Sequence, residues 1–140
     1  MSFLGLDFGE KRIGMARSDE LSFMAHPVGF IQYRDENQAF QEIKKATDEC
    51  HMEKVVIGLP KTMKGEIGPQ AQKVLAFVES LRKHVTCPIV TWDERLTTVQ
   101  AERALIDQDV SRAKRKTKRD AIAAEIMLQS YLDFSKRKER

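Results

Sequence analysis

The stretch Phe3–Arg17, which reads FLGLDFGEKRIGMAR, decides how this 140-residue chain folds. Its first part, Phe3–Phe8, is a short apolar run that ends in a glycine turn, and such a run predicts a buried strand. Its second part, Lys11–Arg17, alternates apolar residues with small or charged ones, which predicts a second strand, and the short gap predicts a hairpin. Pro27–Tyr33 predicts a third strand, so the chain begins with an antiparallel meander of three strands.

The pattern after the meander is typical of helices that alternate with single buried strands. The further predicted elements are, in order, a helix around Phe40–Cys50, a strand at Val55–Leu59, a helix at Pro69–Leu81, a strand at Ile89–Trp92, a short helix at Thr97–Ile106 and a long helix at Asp120–Phe134. The order βββαβαβαα predicts a single α/β domain over residues 1–140, with a mixed five-stranded sheet and helices on both of its faces.

The composition favours a cytoplasmic protein with a phosphate-rich partner. No run approaches the roughly 18 apolar residues that cross a bilayer, and the amino terminus lacks the pattern of a signal peptide, so we expect no membrane partner. Residues 1–110 carry 14 basic and 17 acidic side chains, net −3, whereas residues 111–140 carry 10 basic and 4 acidic, net +6. A basic end on a near-neutral body indicates nucleic acid, although we interpret residues 136–140 as a solvated tail.

The cysteines and histidines do not predict a zinc site. Cys50 and His51 are adjacent, which lacks the usual gap of two to four residues between zinc ligands. We interpret Cys50 and Cys87 as buried thiols, kept reduced in the cytoplasm.

Three carboxylates stand where folding alone explains them poorly: Asp7, Glu94 and Asp120. Asp7 lies near the carboxyl end of the first predicted strand and Glu94 lies just after the fifth, and ligands of open α/β sheets gather at such ends. Asp7 could instead cap a turn, and strand alternation does not choose between Glu94 and Asp93. Asp120 shares a helix side with Ala124, so it points toward the core, where an unpaired carboxylate is costly.

A divalent cation explains why three acids would converge. Mg²⁺ and Mn²⁺ prefer hard oxygen ligands, and one or two such ions activate water and stabilise the leaving oxygen at a phosphodiester. No side-chain nucleophile is then needed, and the sequence shows no Ser-His or Cys-His arrangement that would supply one. Asp120 could instead serve as a favourable charge at a helix N-terminus.

A dense basic segment, Ser111–Arg119, precedes Asp120 with six cations in nine residues. It has few aromatics, so we expect it to contact the phosphate backbone rather than stack on bases. Two glycines around Lys11 and Arg12 also favour the approach of an anion. The predicted nucleic-acid-binding residues are Lys11, Arg12, Arg95, Arg112, Lys114, Arg115, Lys116 and Lys118.

Four segments resemble the motifs of the YqgF/RuvX family. They are LGLDFGEKRIG at 4–14, VIGLPKTMKGEIGP at 56–69, WDERLTT at 92–98 and DxxAAxxxLQSYLD at 120–133. The resemblance implies an RNase H-like fold and a metal-dependent nuclease whose acids are Asp7, Glu94 and Asp120, so it chooses Glu94 over Asp93. In the family an apolar residue usually precedes the last acid, whereas in this chain Arg119 precedes Asp120.

The family is described both as a Holliday-junction resolvase and as a nuclease that matures the 5′ end of pre-16S ribosomal RNA. We expect the RNA role, in ribosome biogenesis, although contacts to the backbone serve either substrate. A junction enzyme would favour a homodimer. Two competing hypotheses are a non-catalytic nucleic-acid binder and an actin-like kinase or ATPase, which would need a second such domain to enclose its nucleotide.

Overall fold

Five strands and three helices follow one another in the part of the chain that the computed structural model describes. That part is residues 2–9, 11–19, 21, 24–49, 51–96 and 119–138, and its side-chain description excludes residues 96, 119, 120 and 136–138. The elements are β1 (Phe3–Phe8), β2 (Arg12–Ser18), β3 (Ala25–Gln32), α1 (Glu36–Glu49), β4 (Lys54–Leu59), α2 (Pro69–Leu81), β5 (Ile89–Asp93), a 3-10 turn (Glu94–Leu96) and α3 (Arg119–Lys138).

These elements confirm the predicted order up to β5 and the predicted last helix. The helix predicted at Thr97–Ile106 lies outside the described residues. Within the described part, no helix is both long and apolar enough to cross a membrane.

The sheet is mixed, as predicted, and its strand order is β3-β2-β1-β4-β5. Neighbouring strands of the meander are antiparallel, because short connections join them. β4 and β5 run parallel to β1, because the helices α1 and α2 carry the chain back to the starting edge. The carboxyl ends of β1, β4 and β5 therefore meet at one edge of the sheet.

Helices cover both faces of this sheet. One face packs on α1 and α2 through the buried set Leu4, Leu6, Ile13, Ile31, Phe40, Ile43, Val55, Ile57, Val74, Phe77 and Leu81. The other packs on α3 through Ala16, Ala25, Val56, Trp92, Ala124, Met127, Leu128 and Leu132. α3 approaches β1 closely, since a Cβ on Gly5 would lie 2.9 Å from the Cβ of Leu128. Only a glycine allows this spacing.

A β-bulge in β3 changes which of its residues face α3. Met15 pairs with Gly29 and Ala16 with Pro27, so Val28 has no partner on β2. The extra residue shifts the alternation, and Phe30 then lies opposite Gly14. The sequence pattern treats Val28 and Phe30 as ordinary apolar strand residues, but the structure leaves them 50% and 43% exposed.

Candidate active site at the carboxyl edge of the parallel strands

Asp7 lies near the carboxyl end of β1, on the face of the sheet that α3 covers. It is paired with Gly14 of β2 and is half-buried. Side chains alternate along a strand, so Asp7 points to the same side as Gly5, whose α-carbon lies beneath Leu128 of α3.

Glu94 reaches the same face from the turn after β5. β1 and β4 are in register up to Leu6 and Ile57, and one further step places Gly58 of β4 beside Asp7. A Cβ on Gly58 would lie only 2.5 Å from Oε1 of Glu94. The Glu94 carboxylate therefore lies over Gly58, one strand away from Asp7, and neighbouring strands are about 4.8 Å apart.

Asp93 occupies a different environment from its neighbour Glu94. Nη2 of Arg95 lies 2.8 Å from Oδ2 of Asp93, and Nζ of Lys61 lies 4.0 Å from the same oxygen. Hydrogen bonds from Arg95 are the main cause that lowers the pKa of the Asp93 carboxyl. Asp93 is therefore held as one half of an ion pair, while Glu94 points over β4.

Arg95 is fixed by this pairing and by the turn that follows β4. A Cβ on Gly65, which has a φ of +82°, would lie 3.1 Å from Nη2 of Arg95. Thr62 holds that turn, because its carbonyl accepts from the Gly65 N–H at 2.8 Å and its hydroxyl from the Glu66 N–H at 3.1 Å. The predicted nucleic-acid residue Arg95 thus lies at this edge as the partner of Asp93.

Lys61 is a cation at this edge that the sequence reasoning missed. It lies two residues after Leu59, the last residue of β4, and its side chain is 30% exposed. A cation directly after a buried parallel strand was the available signal, because such positions border the ligand edge of a sheet.

Lys11 and Arg12 lie in the β1–β2 hairpin at the same edge. The N–H of Gly9 donates to the carbonyl of Arg12 at 2.8 Å, and the N–H of Tyr33 donates to the carbonyl of Lys11 at 2.9 Å. Both cationic side chains are exposed. The guanidinium of Arg12 lies 4.9 Å from the centre of the Phe30 ring.

Asp120 is the second residue of α3, and its side chain is outside the description. α3 runs antiparallel to β1, since Leu128 lies over Gly5 while the later Tyr131 contacts Phe3, with ring centres 6.2 Å apart. The backbone of Asp120 therefore precedes Leu128 by two helical turns toward the Asp7 end of β1.

Five of the predicted nucleic-acid-binding residues lie outside the described residues, namely Arg112, Lys114, Arg115, Lys116 and Lys118. Among the described side chains there is no group of three or more His, Cys, Asp or Glu that could hold a metal ion, and that part contains two of the three predicted acids. Cys50 also lies outside it. Cys87 is half-buried, and burial raises the pKa of its thiol.

A cleft opens at the same edge, on the side of α1 and α2. Its volume is about 800 Å³, and its lining includes Phe8, Tyr33, Pro60, Lys73 and Phe77. Burial, then the nearby charges of Glu36 and Asp35, raise the pKa of the Tyr33 hydroxyl. The sequence reasoning did not predict this cleft, because its lining comes from four separate elements and loops.

Comparison with known proteins assigns the family. A family model described as "RuvX: Holliday junction resolvase" matches residues 1–134. The chain belongs to this family. RuvX relatives include a protein of Clostridium botulinum named "Putative pre-16S rRNA nuclease", 47% identical over 133 residues, which are 95% of this chain and 97% of that protein. A Thermoanaerobacter pseudethanolicus protein of the same name is 46% identical over 99% of this chain and 100% of its own.

The chain also shares its fold with a protein of solved structure. It is similar to the RuvC of T. thermophilus, solved in complex with a Holliday junction substrate, with a TM-score of 0.64 over 96% of each chain at 15% identity. The predicted RNase H-like fold is confirmed by this likeness, and the predicted family and its nuclease class by the family match.

Proposed function

We propose that this RuvX-family protein is a metal-dependent endonuclease that hydrolyses phosphodiester bonds at the 5′ end of pre-16S ribosomal RNA. The observation that carries the proposal is the carboxylate of Glu94 over Gly58, beside Asp7 on the same face. The names of the bacterial relatives support the RNA substrate. The proposed setting is the cytoplasm, during ribosome biogenesis.

The two carboxylates fit a hard divalent cation. Asp7 and Glu94 offer oxygen ligands, and the missing side chain of Gly58 leaves room for one of them. Asp120 would supply the third carboxylate from the start of α3, and the site would hold one or two Mg²⁺ or Mn²⁺ ions. When bound, such an ion provides Lewis-acid activation of the phosphate and of the attacking water.

The chain's own cations would hold the substrate backbone against this edge. Lys11 and Arg12 stand exposed on the hairpin beside Asp7, and Lys61 lies near Asp93. The basic segment before α3 would add further phosphate contacts, which position nucleic acid without reading its sequence. The protein would therefore recognise the shape of its substrate rather than its base sequence. It would act as a monomer or as a homodimer.

Substitution of the acids tests the proposal. Asp7→Asn and Glu94→Gln should each lower magnesium-dependent cleavage of precursor 16S RNA about a hundredfold or more, since a catalytic cation contributes several kcal/mol. Binding of the RNA should persist, and chelation of the metal should abolish cleavage by the parent. Asp48→Asn, an exposed aspartate on α1, is the matched control and should cleave normally. Normal cleavage by Asp7→Asn would contradict the proposal.

The second candidate substrate is branched DNA, which the family description favours. A single preparation should be tested on a synthetic four-way junction and on precursor 16S RNA. Cleavage of the junction alone would show that branched DNA, and not RNA, is the substrate. The proposed metal site would be unaffected by that result.

A further inference from the structure

Phe30 is a large aromatic side chain that the core does not explain. It lies on β3, the outer strand of the sheet, and is 43% exposed. The residue after it, Ile31, is buried on the side of α1 and α2. The bulge at Val28 directs Phe30 to the opposite side, toward the face that carries Asp7.

Phe30 stands in one row with the candidate active site. Asp7 pairs with Gly14, and Gly14 pairs with Phe30. Two strand spacings separate the backbones of Asp7 and Phe30, which is about 10 Å. Gly14, between them, adds no side chain to the row. A nucleic-acid strand with a phosphate at Asp7 therefore has its neighbouring nucleotide within reach of the Phe30 ring.

Arg12 gives the aromatic ring a charged partner. Its guanidinium lies 4.9 Å from the ring centre. A planar cation layered on an aromatic ring combines attraction for phosphate with a flat surface for a base, and these two features together mark proteins that hold single strands.

We propose that Phe30 and Arg12 form a stacking site for one unpaired base of the substrate, close to the phosphate that is cut. This rests on the nuclease function proposed above. The substrate is then a strand with an unpaired or splayed base at the cleavage site, since bases within an uninterrupted helix are not available for stacking on a side chain.

Self-association through β3 is the competing use of this surface, and the strand is poorly suited to it. Outer strands extend a sheet when their backbone groups are regular and unpaired. β3 carries a bulge at Val28 and a positive φ of 145° at Gly29. Both disturb the regular ladder that a second copy would need.

The test measures binding and stacking separately from cleavage. In an Asp7→Asn background, Phe30→Leu should weaken binding of a single-stranded RNA about tenfold, and Phe30→Trp should retain it, because stacking on an aromatic contributes about one to two factors of ten per base. The fluorescent base 2-aminopurine should be placed at successive positions of the RNA. At one position its fluorescence should be quenched by the Asp7→Asn protein and not by the same protein that also carries Phe30→Leu. Phe134→Leu is the matched control, because Phe134 is also 43% exposed.

Each outcome decides a different point. Equal binding and equal quenching by Phe30→Leu and Phe134→Leu would overturn the stacking site. The stacking site would also be overturned, in favour of self-association, if sedimentation shows that Phe30→Leu loses a dimer while its quenching stays unchanged. Quenching that depends on Phe30, together with no cleavage of precursor 16S RNA by the protein that retains Asp7, would support stacking while overturning the proposed nuclease function.

Discussion

Gly58 determines at the level of a single residue whether Glu94 can lie beside Asp7. We predict that Gly58→Ala lowers cleavage about tenfold or more, because its Cβ would lie 2.5 Å from Oε1 of Glu94 and would displace that carboxylate from the metal site. The fold should survive, since the atom that must move is the end of a flexible side chain. Cleavage rates and thermal unfolding of the same preparation measure the two effects.

Gly68→Ala is the control for this substitution. Gly68 lies at the same end of the sheet, and among the described residues its Cβ would meet only the methyl group of Thr62, at 3.1 Å. If Gly58→Ala cleaves at the parental rate, the carboxylate position over Gly58 is not needed for catalysis.

The same residues show what the sequence could predict about the site. The position of Asp7 near the end of a buried strand follows from the local pattern, and its role as a metal ligand stays a prediction. The choice between Asp93 and Glu94 does not follow from alternation, because the strand ends there and a turn begins. The family resemblance made that choice, and the pairing of Arg95 with Asp93 at 2.8 Å, which no spacing rule predicts, supports it.

At the level of elements, β3 shows why strand faces are harder to predict than strands. Its existence follows from a β-rich run, but period-two counting from Pro27 fails at the bulge. One extra residue, Val28, turns the rest of the strand over. The stacking surface at Phe30 is a product of that shift, so sequence reasoning could not predict it.

α3 contains a carboxyl whose burial should make stability depend on pH. Glu125 is 4% exposed, and desolvation raises its pKa to about 7 from an ordinary value of 4.5. In the folded state it keeps its proton to higher pH than in the unfolded state, so this group favours folding most below about pH 4.5. Its contribution is lost as the pH rises toward 7, by on the order of 3 kcal/mol.

We therefore predict that Glu125→Gln reduces the loss of stability between pH 5 and pH 8. Urea unfolding of the parent and the variant at both values measures this difference. Glu79→Gln, an exposed residue on α2, should leave the pH dependence of the parent unchanged. A parent and a Glu125→Gln variant that lose equal stability over this range would show that Glu125 titrates normally.

For the whole molecule, the mixed sheet could be predicted because its parts are local. The meander follows from a short hairpin gap, and the parallel additions follow from strands separated by helix-length segments. The resemblance to the family motifs then predicted the RNase H-like arrangement. The cleft at Tyr33 and Lys73 could not be predicted in this way, because its walls meet only after the whole sheet has formed.

The uneven charge of the whole chain leads to the last prediction. Replacing Lys114, Arg115 and Lys116 together with Ala should weaken RNA binding and reduce the slope of log K against log salt by about 2, since each lost phosphate contact removes about 0.7 for a single strand. The matched control replaces Lys136, Arg137 and Lys138 at the end of α3, which removes the same number of charges outside the segment before α3. If both triple variants change the slope equally, net charge governs binding, and the segment before α3 has no specific contact with the substrate backbone.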